Sequence, residues 1–325
     1  MNTPSGQKGA PWLANLPPTF FGSVLGISGL GLAWRHAEVS FGWSNWPGDI
    51  VLVIGGIILI LVVPLYCAKC IKYPHLFAAD VIHPVKGPFL AAMPLAILLQ
   101  TTALAPYFPD FARGLWIAGA ALSLGLNFYI FAGWYLRENQ VQDFNAIWLI
   151  PGVGSFVVAI TGAPLGFIEA SWFFFSIGLV FWVFLSAVLM YRYIFYPAHI
   201  DLLIPSYWVP IVPPGLMSMI YPMLTGESLS DFTRVIYYFA LFLTLFNVAI
   251  IRIFLRLRFS MGWWAYTFPL DTISSATIDY SKATGLVTLA YAGRGLLIIT
   301  TFLIIFILIR TLLEIYRGRV FGPNQ

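Results

Sequence analysis

Ten stretches of about 20 mostly apolar residues follow one another along the chain, and each is long enough to cross the hydrocarbon core of a bilayer as a helix. The connections between them are short. We therefore predict an all-α membrane protein in which residues 1–325 form a single transmembrane domain, with short tails at about 1–17 and 310–325. The ten predicted spans are Pro18–Trp34, Gly48–Ala68, Gly87–Ala105, Arg113–Tyr135, Phe144–Gly162, Ser171–Tyr191, Leu203–Leu224, Phe232–Ile253, Gly262–Ser281 and Gly285–Ile309.

The charged residues indicate both the membrane location and the orientation. They make up 9% of the chain, against about 25% in a typical soluble protein. If the N-terminus is cytoplasmic, ten spans place 12 of the 17 Lys and Arg residues on the cytoplasmic side and five on the other. The positive-inside rule then predicts that both termini are cytoplasmic. No basic run with interleaved aromatic residues occurs, so the net charge of +4 does not indicate nucleic-acid binding.

The odd-numbered and even-numbered spans differ in composition. The odd spans are rich in Gly, Ser and Thr, whereas the even spans are smoother and more apolar. Pro18 opens the first span, and the prolines inside the later odd spans are Pro94, Pro151, Pro213, Pro214 and Pro269. From Pro94 onward they recur about every 60 residues, which predicts five repeats of a helical hairpin.

Helices broken by proline cannot lie freely in lipid. The backbone groups that a proline leaves unpaired are tolerated only where protein or water satisfies them. We therefore predict that the odd helices form an inner ring around a central pore and that their prolines kink the helices that line it. The even helices would face lipid or neighbouring subunits. The alternative is that proline and glycine are simply common in membrane helices.

The first span carries Gly22 and Gly26 as a G-x-x-x-G motif. This spacing is typical of two helices in close contact. The alternative is that both glycines line the pore, where a missing side chain leaves width.

The ninth span places Phe268 beside Pro269, in the stretch WWAYTFPLDTISSATID. Pro269 donates no backbone hydrogen bond and clashes with the preceding turn, so it predicts a kink. A large ring at a kink of an inward helix could close a narrow path sterically and by dewetting. The alternative is that Phe268 is an ordinary packing residue.

Asp271 follows Phe268 by three residues and lies deep in the same predicted span. A charge inside the membrane is by default a candidate functional site and is usually paired. Arg294 and Lys282 are the candidate partners. The alternatives are a structural ion pair or a position nearer the interface. An unpaired carboxylate in the path would repel anions.

The sequence lacks the motifs of several enzyme classes. It contains no H-E-x-x-H, G-x-S-x-G or Walker A motif. Its four histidines and two cysteines lack the spacing of metal ligands. We therefore expect no enzyme activity, no cofactor and no metal site.

Five segments together resemble one transporter family. They are LPPTFFGSVLGISGLGLAWR, HPVKGPF, WLIPGVGSF, VPPG and WWAYTFPLD, and their order and spacing extend over nearly the whole chain. In these segments the sequence is similar to the tellurite-resistance/dicarboxylate transporter family, which includes bacterial TehA and the plant guard-cell slow anion channels. The resemblance implies ten helices as five hairpins, a homotrimer with one pore in each subunit, and a bacterial inner-membrane location.

The same resemblance implies a function. A phenylalanine of the ninth helix occludes the pore in this family, and the matching residue is Phe268. The expected function is a passive anion channel for small inorganic or organic anions. The alternative is a secondary carrier that exports tellurite, sulfite or a C4-dicarboxylate, with proton coupling through Asp271. Asp271 departs from the small or apolar residue expected after the gate motif, so free anion passage requires that it be paired or turned away.

Overall fold

A computed structural model describes residues 12–319, which contain helices and no strand. The α-helices are α1 (Phe20–Phe41), α2 (Trp46–Lys72), α3 (Pro74–Ile82), α4 (Lys86–Phe89), α5 (Ala92–Leu104), α6 (Pro109–Leu136), α7 (Ile150–Gly162), α8 (Ile168–Phe195), α9 (Val212–Thr225), α10 (Asp231–Ala249), α11 (Ile251–Leu255), α12 (Thr267–Thr284) and α13 (Val287–Tyr316). Short 3-10 helices cover Trp12–Asn15, Val141–Asp143, Ala146–Leu149, Ala163–Leu165, Ile204–Ile211 and Met261–Tyr266.

Within residues 12–319, seven helical segments are long and apolar enough to cross a membrane. They coincide with seven of the ten predicted spans and are Trp46–Lys72, Lys86–Leu104, Pro109–Leu136, Ala146–Leu165, Ile168–Phe195, Asp231–Ala249 and Val287–Tyr316. The other three predicted spans hold α1, α9 and α12. These helices are rich in glycine or in Ser and Thr, or are short, because α9 has only 14 residues. The prediction of ten spans therefore stays a prediction.

The helices divide into buried and exposed groups. In the most apolar part of Ala146–Leu165, 94% of the residues are buried, and in Lys86–Leu104 the share is 78%. The corresponding share in Trp46–Lys72 and in Ile168–Phe195 is 22%. The faces of α2, α8 and α13 carry exposed side chains such as Ile60, Phe184 and Phe302. Those faces suit contact with lipid or with another apolar surface.

At the prolines predicted to kink the odd spans, a new α-helix starts. Each proline lies among the first three residues of its helix, where a missing N–H removes no bond within the helix. In α7, α9 and α12 a 3-10 helix directly precedes the α-helix. In these three helices the predicted kink is therefore a junction between a 3-10 helix and an α-helix, whereas α5 follows the short helix α4. The prolines concerned are Pro94 in α5, Pro151 in α7, Pro213 and Pro214 in α9, and Pro269 in α12.

Hydrogen bonds tie the helix ends into two groups, which we call the Lys69 end and the Arg35 end. The Lys69 end is defined by the bonds from Lys69 to Leu16, from Trp148 to Pro84 and from Arg192 to Gln142. The Arg35 end is defined by the bonds from Arg35 to Asp49 and Thr102, together with the pair of His36 and Asp279. Helix α1 therefore runs from the Lys69 end to the Arg35 end, and α2 returns.

A buried ion pair stabilises the Lys69 end. The Nζ atom of Lys69 lies 2.5 Å from Oδ2 of Asp80 and donates to the Leu16 carbonyl at 2.8 Å. The side chain of Lys86 approaches the other Asp80 oxygen at 3.4 Å, and Tyr66 donates to Oδ2. Lys69 and Asp80 are 2% and 5% exposed. The pair joins α2 to α3 away from water.

His83 shapes the turn that follows α3. Its Nδ1 atom accepts the backbone N–H groups of Val85 at 3.1 Å and Lys86 at 3.3 Å. Burial, and after it the Lys86 ammonium, lower the pKa of His83. A neutral ring can accept these bonds, and an imidazolium cannot. The ring therefore has a structural role at this turn.

A stripe of glycines on α1 faces α12. A side chain at Gly26 would collide with the Thr267 side chain, and one at Gly29 would lie 2.6 Å from Oδ2 of Asp271. A side chain at Gly22 would lie 3.1 Å from the Phe89 ring and 3.5 Å from Trp264. Close contact of α1 with α12 therefore depends on the missing side chains.

We expect Gly26→Ala to lower the stability of the purified protein. The added methyl group must push Thr267 or the whole of α12 aside, and overpacking of this kind costs about 1–3 kcal/mol. The matched control is Gly125→Ala, because a methyl group added there would meet no neighbouring side chain or helix within 4 Å. Thermal unfolding in detergent should show a lower midpoint for Gly26→Ala alone. Equal midpoints for both variants would mean that α1 and α12 are not in this close contact.

Candidate functional site

Two cavities lie between the same five helices, α1, α5, α7, α9 and α12. The first, which we call the outer cavity, has a volume of about 240 Å³ and opens toward the Arg35 end. One lining residue from each helix, in the order above, is Leu32, Leu99, Ile160, Leu216 and Phe268. Thr102, Thr161, Thr272, Ser275, His36 and Asp271 add polar groups to this otherwise apolar lining.

The second cavity, which we call the inner cavity, lies toward the Lys69 end. Its volume is about 40 Å³, which is enough for a water molecule or a small ion. The same five helices contribute Leu25, Leu95, Val153, Val212 and Phe268. None of its lining residues in the described chain is charged.

Phe268 is the one described residue that lines both cavities. Its side chain is half-buried and lies in the first turn of α12, immediately before Pro269. The missing side chain at Gly29 lets the Phe268 ring lie close to α1, because a Cβ atom at this position would be 3.1 Å from the ring. The ring therefore lies where the linings of the two cavities meet.

On the Arg35 side of Phe268, one face of α12 presents Asp271, Thr272 and Ser275 to the outer cavity. Residues at spacings of three, four and seven lie on one side of an α-helix. The Thr272 hydroxyl donates to the Phe268 carbonyl at 2.8 Å. Asp271 is 2% exposed, and no described residue donates a hydrogen bond to either of its carboxyl oxygens.

The expected partners of Asp271 do not contact it. Arg294 lies on α13 with its guanidinium 4.4 Å from the centre of the Phe41 ring, and Trp43 and Tyr291 are its other aromatic neighbours. Lys282 reaches the Val39 carbonyl at 3.5 Å. Neither candidate partner therefore pairs with Asp271, since both side chains make their contacts elsewhere, at the Arg35 end.

The remaining predicted site residues lie close to the cavities or support their walls. Gly22 and Pro269 line the inner cavity, and Gly26 lies at the contact of α1 with α12. The other prolines are buried near the starts of inner helices without lining either cavity, and they are Pro94, Pro151, Pro213 and Pro214.

Two features of the site were missed by the sequence analysis. Ser275 could have been found, because it lies seven residues after Phe268 and therefore on the same helix face. The pairing of His36 with Asp279 could not, since the residues are 243 positions apart and their side chains meet at 2.8 Å. This pair lies at the outer rim, where His36 lines the outer cavity.

Comparison with known proteins gives one matching family and several relatives. The model of the family described as voltage-dependent anion channel, SLAC1, matches residues 15–312. The S-type anion channel SLAH2 of Arabidopsis thaliana is 27% identical over 98% of this chain and 63% of its own length. The TehA homolog of Haemophilus influenzae, a tellurite resistance protein, is 23% identical over 82% of this chain and 81% of its own.

A third relative is the sulfite efflux pump SSU1 of Arthroderma benhamiae, which is 23% identical over 85% of each chain. The chain thus spans less than two thirds of the Arabidopsis channel but most of the other two relatives.

Proposed function

Because the chain belongs to the SLAC1 family of anion channels and transporters, we propose that it is a passive anion channel whose pore is closed by Phe268. The family and the long apolar helices make the chain an integral membrane protein. Two of its relatives are named an anion channel and a sulfite efflux pump, which supports anion transport. We propose further that the protein is a channel and not a carrier, and that Phe268 is its gate.

The two cavities on either side of one ring carry this proposal. Both are lined by the same five helices, which supports a single path between the Lys69 end and the Arg35 end. Phe268 is the described side chain common to both linings. A hydrophobic constriction can gate a pore by excluding water. Movement of this ring would join the two cavities.

The lining of the path favours weak binding and fast exit. The inner cavity has an apolar lining, and the described lining of the outer cavity contains neither Lys nor Arg. An ion that crosses must therefore give up much of its hydration without a strong fixed charge to replace it. Selection would follow the cost of dehydration, which favours large, weakly hydrated monovalent anions.

The wider architecture belongs to the same proposal. We place ten membrane crossings as five hairpins, with α1, α5, α7, α9 and α12 in the inner ring. The Lys69 end would face the cytoplasm of a bacterial inner membrane, in agreement with the positive-inside count. The exposed apolar faces of the outer helices suit lipid and the proposed homotrimer.

Chloride efflux from proteoliposomes tests channel activity against exchange. We expect the protein to release chloride only when a potassium ionophore lets potassium leave as well, because a passive channel moves net charge. An obligate exchanger would instead release chloride when a second anion is supplied outside, whether or not the ionophore is present. The second result would favour the carrier, for which the sulfite efflux pump among the relatives is the supporting observation.

A further inference from the structure

The outer cavity holds a carboxyl group that the gate does not use. Asp271 lies one helical turn from Phe268 toward the Arg35 end, is 2% exposed and lines the outer cavity. Within residues 12–319 it forms no ion pair, and neither of its oxygens receives a hydrogen bond. A buried carboxyl without a partner, aimed into a cavity, is a group placed for a ligand or a proton.

The helices around Asp271 bring little that could titrate or neutralise it. Helices α5, α7 and α9 present only apolar side chains and threonines to the outer cavity. Helix α1 presents Gly29 beside the carboxyl and His36 at the outer rim. The imidazole is held by Asp279 at 2.8 Å, and Lys282 lies near that pair. Arg294 on α13 packs against aromatic rings instead.

These surroundings decide the form of the carboxyl group. An ionised carboxylate that has left water without a cation or a donor is strongly disfavoured, and such a group takes up a proton. The neutral acid carries one O–H donor. The hydroxyl groups of Thr161 and Thr272 already donate to backbone carbonyls, so the acid is a free donor near the gate.

We propose that the outer cavity is a binding site for a small inorganic anion, in which Asp271 is a neutral acid and donates its hydrogen bond to the anion. The proton stays on the carboxyl group, and no bond to it forms or breaks during passage. The inference rests on the proposed channel function, because it assigns the anion site next to the gate. It also explains how a carboxyl group can lie in the path of an anion.

The site makes anion passage depend on pH. When the pH rises far enough to ionise Asp271, a fixed negative charge stands beside the path and the donor is lost. Both changes oppose an anion, because like charges repel strongly where water is scarce. Anion flux should therefore fall as the pH rises.

The test measures chloride efflux from proteoliposomes at equal inner and outer pH, from about pH 5 to about pH 9. All variants carry Phe268→Ala, so that the gate does not limit the flux. We expect the chloride flux through Phe268→Ala to fall about tenfold or more as the pH rises over this range. With Asp271→Asn added, the flux should stay high at every pH, since the amide donates but cannot ionise.

Two further variants separate the roles of charge and donor. Asp271→Leu removes both and should give low flux at all pH values. His36→Gln removes the rim imidazole and should leave the fall with pH unchanged. Thermal unfolding of each purified variant confirms that it is folded, and Asp271→Ser, a smaller neutral donor, replaces Asp271→Asn if the latter does not fold.

The outcomes distinguish this inference from the channel proposal. If Phe268→Ala carries no anion flux at any pH, the channel proposal fails. If it carries flux and Asp271→Asn leaves the pH dependence in place, the channel proposal stands and the role of Asp271 is overturned. Flux through Asp271→Leu equal to that through Asp271→Asn would overturn the donor role.

Discussion

Phe268→Ala should raise chloride efflux from proteoliposomes about tenfold or more over the wild type, which corresponds to a barrier lowered by at least about 1.4 kcal/mol. The substitution removes the side chain that lies between the outer cavity of about 240 Å³ and the inner cavity of about 40 Å³. An alanine cannot reach across this space, so water and ions gain a continuous path. The measurement is the initial rate of efflux per molecule of inserted protein.

Two variants control for effects other than the opening of the path. Phe268→Leu keeps a bulky apolar side chain and should give an intermediate rate. Phe128→Ala removes a ring that is exposed on α6 and lines neither cavity, so it should leave the rate at the wild-type level. The gate assignment fails if Phe268→Ala is folded and inserted but as slow as the wild type.

Lys69→Met should cost up to about 3–5 kcal/mol of stability, because it removes the nearer of the two cations beside the buried carboxylate of Asp80. Asp80 would then keep only Lys86 at 3.4 Å and the Tyr66 hydroxyl, and the Leu16 carbonyl would lose its donor. The measurement is the thermal unfolding midpoint in detergent.

The matched control is Lys72→Met, one turn further along α2. Lys72 is exposed and its ammonium lies 5.8 Å from the centre of the Tyr73 ring, so its loss should change the midpoint little. The double variant Lys69→Met/Asp80→Leu should recover part of the loss, since it removes the stranded charge. Equal midpoints for Lys69→Met and Lys72→Met would show that the buried pair does not stabilise the Lys69 end.

Much of the helix pattern could be predicted from the sequence, because the length and hydropathy of a segment are local properties. Seven of the predicted spans hold a helix that satisfies length and apolarity. The same criterion misses α1 and α12, which carry Gly, Ser and Thr in place of many large apolar side chains, and it misses α9 because that helix has only 14 residues. The prolines located the helix breaks, but not the 3-10 helices that precede them.

The candidate site was predicted in part. The sequence placed Phe268 and Asp271 one turn apart, which helical spacing alone determines. It could not show that Asp271 lacks a partner, because the direction of Arg294 depends on how α13 is rotated against Phe41 and Trp43. The meeting of His36 and Asp279 likewise depends on tertiary packing.

The central claim is that this chain encloses its own anion path and that Phe268 closes it. The most direct test is the reversal potential of the current through Phe268→Ala in a planar bilayer with a potassium chloride gradient. We predict a reversal potential close to the equilibrium potential of chloride. A value close to that of potassium, or no current from folded and inserted protein, would contradict the claim.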